Sequence, residues 1–283
     1  MYKATNKAEA WIYGFKYEAL SINEKKIGIY FGEYRANRPS IVLIHGFSAT
    51  ASVWFRCAAK MKSDFNVIIP ELPGHGNSGY DKNARYSSHE QASTLYLAMM
   101  KLRISRVSIA GNSMGGFIAS RMAIDYPELI DHLILVNPVG ISSSPKQSKM
   151  DRMLGIGKNP FLINTHQEFE SFFKMVMYAP PFFPHIIRSG LSRDYIRRRK
   201  ELEHIYNDYS DKKDFLDNSL MDIKARTLFI FGVQDEIVDK SCEQSWKKIP
   251  MFSSILLEDV GHMPMLEAPA RTKQLIAGFL NEE

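Results

Sequence analysis

Gly111-Asn112-Ser113-Met114-Gly115-Gly116 carries the clearest chemical signature in the chain. It follows the apolar run Val107-Ser108-Ile109-Ala110 and precedes a helix-forming stretch from Phe117 to Ala123. A serine between two glycines at a strand-to-helix corner is the arrangement of a nucleophile elbow. Strained backbone there projects the hydroxyl away from the sheet, and a Cβ at either flanking position would crowd the neighbouring strand and helix. Met114, in the first helical turn, is expected to offer its backbone N–H to a developing oxyanion. A Gly-rich turn with an incidental serine is the competing reading, because short matches of this kind arise by chance.

A serine nucleophile needs a base, and the chain order Ser, acid, His selects one of the eight histidines. His262 follows the strand-like run Ser254–Leu257, in Asp259-Val260-Gly261-His262, so it is expected on a loop at the end of a late strand. His45 and His75 precede the serine, His89 sits at a predicted helix start and His132 before a strand. His166, His185 and His204 fall in a middle segment of different character. The acid should follow the preceding strand, Thr227–Phe231, and Asp235 does, with Glu236 and Asp239 nearby. Its role would be to accept the Nδ1–H of His262 and stabilise the imidazolium. The competing role is that of an ordinary turn or helix-capping aspartate.

The motifs His45-Gly46-Phe47-Ser48-Ala49, Glu71-Leu72-Pro73-Gly74-His75-Gly76, Gly111 to Gly116, Asn137-Pro138-Val139-Gly140, Phe231 to Asp235 and Gly261-His262 occur in order. Together they resemble the α/β-hydrolase superfamily, over about residues 27–281 apart from a variable middle. The combination is similar to the branch of monoacylglycerol lipases and bacterial esterases. The resemblance implies a mostly parallel central sheet flanked by helices, with an inserted helical cap. It also implies a second oxyanion donor, the amide of Phe47, from the loop after the strand Ile41–Ile44. His45 is read as holding that loop rather than reacting. Several members of the branch carry an N-terminal membrane helix, and this sequence shows none. Gly-Asn-Ser-Met-Gly-Gly is similar also to C–C bond hydrolases of ring-cleavage products.

Alternating strand-like and helix-like runs support the parallel sheet. Lys16–Asn23 and Lys26–Arg35 are expected as two leading antiparallel strands. Ile41–Ile44, Asn66–Pro70, Val107–Ala110, Leu133–Val136, Thr227–Phe231 and Ser254–Leu257 follow as parallel ones. Helices are predicted over Ser52–Lys62, His89–Lys101, Met114–Tyr126 and Ala268–Leu280. The alternating aromatics Trp11, Tyr13, Phe15 and Tyr17 suggest a further strand, with an interfacial anchor as the rival.

The alternation stops near Ser142-Ser143-Ser144-Pro145, dividing the chain into a core of residues 1–140 and 221–283 and a cap of residues 141–220. Helices are expected there over Gln167–Tyr178, Ser192–Ile205 and Asp211–Met221. Aromatic and methionine side chains crowd the first half. Most should build the cap's own core, and a subset, taken as Phe172, Met175, Phe182 and Phe183, should line an apolar acyl pocket. Pro180–Pro184 reads as an exposed apolar loop, at the pocket mouth or in peripheral contact with a membrane.

A chain of 283 residues with 45% hydrophobic content can bury a large core, and its formal charge of +5 is mild. Arg197-Arg198-Arg199-Lys200 is answered by Glu201 and Glu203, so a solvated helix face is expected rather than a nucleic-acid site. No run approaches the length of a membrane span, and the first residues lack the apolar core of a secretory signal. Two cysteines without ligand spacing suggest free thiols and a reducing compartment. The expected location is cytoplasmic, or membrane-associated if an anchor precedes Met1. The expected activity is two-step hydrolysis of carboxylic esters with apolar acyl chains, with no cofactor or metal and with small-molecule ester or lipid substrates. A C–C bond hydrolase, or a receptor on the same fold, would be the alternatives.

Overall fold

The computed structural model describes residues 2–142 and 144–282; Met1, Ser143 and Glu283 lie outside the described residues, so the predicted exit at Ser142–Pro145 is described only in part. Eight strands form one sheet in the order β1-β2-β4-β3-β5-β6-β7-β8. β1 (Lys16–Ile22) and β2 (Lys25–Phe31) make the antiparallel hairpin, and β2 also runs antiparallel to β4 (Asn66–Pro70). β3 (Ser40–Ile44), β4, β5 (Val107–Asn112), β6 (Ile130–Val136), β7 (Arg226–Gly232) and β8 (Phe252–Leu257) are parallel. β4 and β5 are buried at every position, which is why they read as continuous apolar runs.

Helices α2 (Ser52–Ala59), α3 (Ser88–Lys101), α4 (Met114–Asp125), α9 (Glu243–Trp246), α10 (Pro264–Glu267) and α11 (Pro269–Asn281) accompany the strands. Trp54 of α2 and Trp246 of α9 are fully buried, so both helices are pinned by large apolar side chains. α2 directly continues the loop that begins at His45, and Trp54 thereby fixes where that loop ends.

Four features differ from the sequence-based expectation. Trp11 belongs to a helix, α1 (Tyr2–Ile12), and is 80% exposed rather than part of an aromatic strand face. Gly14, at φ 71, ends that helix: its amide donates to the Trp11 carbonyl and the Phe15 amide to the Ala10 carbonyl. These paired bonds are a Schellman cap, and only after it does the chain become extended. Within the segment between β6 and β7, the predicted Ser192–Ile205 helix is two, α7 (His185–Arg197) and α8 (Arg199–Tyr209), broken at Arg198. Asp211–Met221 holds only short 3₁₀ turns, because its backbone bonds elsewhere: Asp211 accepts the Lys213 amide and Leu216 donates to Gly140. α6 (His166–Val176) lies where predicted, and α5 (Lys149–Gly155), opened by a Ser148–Asp151 capping box, was not anticipated.

Replacing Trp54 by alanine removes a fully buried side chain from α2 and is expected to cost roughly 3–5 kcal/mol in urea denaturation.

Candidate active site

Ser113 sits between the last residue of β5 and the first of α4 at φ 56 and ψ −120, a backbone conformation that an L-residue rarely adopts. Packing on both sides enforces it. A Cβ on Gly115 would lie 2.5 Å from the Ile44 carbonyl oxygen and 2.6 Å from that of His45; one on Gly111 would overlap the Gly115 carbonyl. The Ser113 amide donates to the Val136 carbonyl at 3.0 Å, anchoring the corner to β6.

Asp235 and His262 meet at the ends of β7 and β8. His262 Nδ1 lies 2.7 Å from Asp235 Oδ2, with both side chains almost wholly buried. Oδ2 also accepts from Asn137 Nδ2 at 2.7 Å, and Oδ1 accepts the amides of Ile237 and Val238 at 2.7 and 3.1 Å. With Nδ1–H committed to Asp235, the imidazole keeps Nε2 free to act as a base. Ser113 and His262 line the same cavity.

Several positioning side chains have no counterpart in the sequence reading. Asn137, at φ 45, donates to Asp235 while its Oδ1 accepts the Gly232 amide at 3.1 Å. Asn112 Nδ2 donates to the His262 carbonyl at 2.9 Å, tying the elbow to the histidine loop. Glu267 accepts the amides of Gly261, Met263 and Ala179, so one carboxylate holds both flanks of His262 and the chain after α6. The only sequence signal for the asparagines was their membership of the quoted motifs, and Glu267 left none.

Phe47 lies on the loop facing the elbow. Its ring is packed against His75, Phe161, Tyr206 and Tyr209, with centroids 5.1 to 6.0 Å apart. Neither the Phe47 amide nor the Met114 amide has a hydrogen-bond acceptor among the described residues. For Met114 this follows from its place as the first residue of α4.

Two buried histidines staple the Phe47 loop to the loop after β4. His45 donates from Nδ1 to the Gly46 carbonyl at 2.8 Å and accepts the Leu72 amide at Nε2 at 3.1 Å. His75 donates to the Pro73 carbonyl and accepts the Ser48 amide at 3.2 Å. Each ring needs one bare nitrogen for these roles, so both are neutral. Burial pushes His45 down to about 4 and His75 well below its ordinary value near 6.5, the latter with help from His45 and Arg198.

The cavity holds about 960 Å³. Phe172 and Phe183 are on its wall; Met175 and Phe182 are not. Phe169, Phe172, Phe173 and Val176 share the face of α6 that turns to the cavity, at spacings of three and four. Met175 falls off that face and is buried elsewhere. Phe182 points out of the extended Pro180–Pro184 segment and is 86% exposed.

The fold and motifs have a family. The alpha/beta hydrolase family model matches residues 41–275. The chain belongs to the alpha/beta hydrolase family. This α/β-hydrolase is 32% identical to Lipase 1 of Psychrobacter immobilis over 245 residues, which cover 84% of this chain and 76% of the relative. It is 27% identical to monoacylglycerol lipase ABHD6 of Homo sapiens over 255 residues, 86% of this chain and 76% of that protein. A solved structure of a membrane phospholipase A superposes with a TM-score of 0.94 at 26% identity, covering 99% of this chain and 90% of that one. No helix among the described residues of the α/β-hydrolase is long and apolar enough to cross a membrane.

Two outcomes follow. Asn137→Ala leaves Asp235 Oδ2 one donor short in a buried site; a loss of roughly 1–3 kcal/mol of stability is expected by chemical denaturation, with a lower kcat. Neutral His45 and His75 bind protons more weakly folded than unfolded, so their contribution is complete above pH about 6.5 and is lost as pH falls towards about 4. His45 alone should remove roughly 2 kcal/mol between pH 6.5 and 5, and unfolding of His45→Gln should show a shallower slope over that window.

Proposed function

We propose that this α/β-hydrolase is a carboxylic ester hydrolase acting through an acyl-enzyme on Ser113, with His262 as base and Asp235 as its orienting acid. The observation that carries the reading is one cavity of about 960 Å³ that holds Ser113 and His262 beneath a wall of phenylalanines.

His262 Nε2 takes the Ser113 proton as the hydroxyl attacks the ester carbonyl. The tetrahedral oxyanion is received by the Phe47 and Met114 amides, each contributing roughly 3–4 kcal/mol in comparable sites. Asp235 stabilises the imidazolium, which then protonates the departing alcohol. Water activated by the same histidine releases the acid and restores Ser113.

Residues 141–220 act as the cap in this reading, and the acyl chain lies against Phe172 and Phe183 together with Phe161, Phe169 and Phe173. Apolar walls of this extent favour esters of long, uncharged acids. Monoacylglycerol is the substrate suggested by the name of the human relative. Exposed Phe182 and Ile186, the latter also on the cavity wall at 72% exposure, support contact of the cap with a lipid surface.

A p-nitrophenyl ester series from acetyl to palmitoyl tests the proposal. Turnover is expected to peak at medium or long chains and to vanish in Ser113→Ala, with a kcat loss on the order of 10⁴-fold or more. A folded protein that cleaves no ester but turns over a ring-cleavage product would establish C–C bond hydrolysis instead. A receptor would bind ligand and turn over neither.

A further inference from the structure

The loop after β3 turns sharply at Phe47 and Ser48, and across them the Ala49 amide donates to the Gly46 carbonyl at 3.3 Å. Ser48 is the third of these four residues, and its φ is 61. A positive φ at that position is the mark of a type II turn, where glycine is the ordinary occupant because it has no Cβ to crowd. Serine adopts such a conformation only where its surroundings over-determine it.

Two groups hold the buried Ser48. Its amide donates to His75 Nε2 at 3.2 Å, and its hydroxyl shares a 2.8 Å hydrogen bond with Tyr195 Oη of α7. The Tyr195 ring is fixed in turn against Phe169 and Phe172 of α6, with centroids 5.5 and 5.6 Å away. The His75 anchor is tied to the same end of α7. Arg198, where that helix breaks, donates to the carbonyl of Gly74, the residue before His75. Gly74 is itself packed closely, since a Cβ on it would lie 2.7 Å from Ile205 Cδ1 of α8. Tyr195 and Arg198 thus brace one turn from two sides, and Ser48 and Tyr195 share the cavity wall with Ser113.

We propose that Tyr195 is a positioning residue for ester hydrolysis: through the Ser48 hydroxyl it keeps the turn in the left-handed form that aims the Phe47 amide at the oxyanion. This rests on the Ser113 ester-hydrolase reading and adds how its second oxyanion donor is held. Relaxation of Ser48 to a negative φ would rotate the Phe47–Ser48 peptide plane, take the Ser48 amide off His75 and free Phe47 to reorient. An oxyanion donor contributes when it already points to where charge develops. A turn that wanders therefore costs rate rather than ground-state binding. The donor is thereby placed under the control of the same packing of α6 on α7 that forms the phenylalanine wall.

Kinetics on p-nitrophenyl octanoate compare the wild type with Tyr195→Phe, Ser48→Ala and Ser48→Gly, and with each Ser48 variant combined with Tyr195→Phe. Tyr195→Phe keeps the ring and is expected to lower kcat roughly threefold to tenfold, with KM within about twofold. Ser48→Ala should lower kcat equally, and adding Tyr195→Phe to it should cost nothing more. Glycine takes a positive φ without support, so Ser48→Gly should lose less than Ser48→Ala. In that glycine background Tyr195→Phe should change kcat by less than about twofold. A merely structural tyrosine would weaken α7 equally in every background. A second measurement needs no turnover: the NMR resonance of His75 Nε2, which accepts the Ser48 amide, should shift in Tyr195→Phe. A raised KM with kcat unchanged would make Tyr195 a substrate contact and overturn the proposal. So would additive losses, glycine no better than alanine, or an unmoved His75 resonance. A wild-type chain that cleaves no ester, while Tyr195→Phe still shifts His75, would overturn the hydrolase reading and leave the bracing of the turn standing. Ester cleavage indifferent to Tyr195→Phe and Ser48→Ala would do the reverse.

Discussion

The backbone of Ser113 is the constraint on which the site depends. Its φ of 56 and ψ of −120 are tolerable only because everything around the corner holds it there. β3 and β5 run side by side, and the carbonyls at the end of β3 come so close to α4 that Gly115 admits no side chain. That same proximity brings the loop after β3, with Phe47, against the first turn of α4. The strain at the serine and the placing of both amides are consequences of one close approach between a strand end and a helix start.

The rest of the site is held by side chains accepting backbone amides in places where water cannot. Asp235 takes two amides, an asparagine and the histidine; Glu267 takes three amides around Gly261 and His262. A buried loop has no ladder to satisfy its N–H groups, so carboxylates at short range perform that task. It also explains why the chain after α6 lies so near His262: a Cβ on Gly261 would sit 2.6 Å from the Tyr178 amide, and the His262 amide donates to the Val176 carbonyl at 3.0 Å. The end of α6 and the histidine loop are therefore one hydrogen-bonded unit.

The sheet was legible in the sequence because buried parallel strands are short, continuous and β-branched, and the two expected hairpin strands and six expected parallel strands appear within a few residues of their positions. Ser113, Asp235 and His262 were legible for a related reason: each lies in the loop just after such a run, so chain order alone fixes which end of the sheet it occupies. What could not be read depends on contacts distant in sequence. Asn137 and Glu267 act through partners 98 and 88 residues away, in Asp235 and Ala179. The N-terminal aromatics misled because period-two spacing across Trp11 to Tyr17 ignores Gly14, whose left-handed conformation closes one element before the next begins. Between β6 and β7, propensity foresaw helical character but not the break at Arg198, which turns inward to the Gly74 carbonyl instead of continuing a solvated face.

Neutral histidines at positions 45 and 75 fit the electrostatics of the site they support. An imidazolium behind the Phe47 loop would have to be desolvated, and it would lose the acceptor nitrogen that holds the Leu72 or Ser48 amide. Burial keeps both rings uncharged, so the loop presents aligned backbone dipoles without a nearby titrating charge. Fixed dipoles serve a transient oxyanion better than mobile ions do, because they need no reorganisation when charge develops. Formal positive charge is instead displaced along the cavity to Arg56, Arg193 and Arg197. One cavity wall thus brings together phenylalanine rings, Ser113 with His262, and the guanidiniums of Arg56, Arg193 and Arg197.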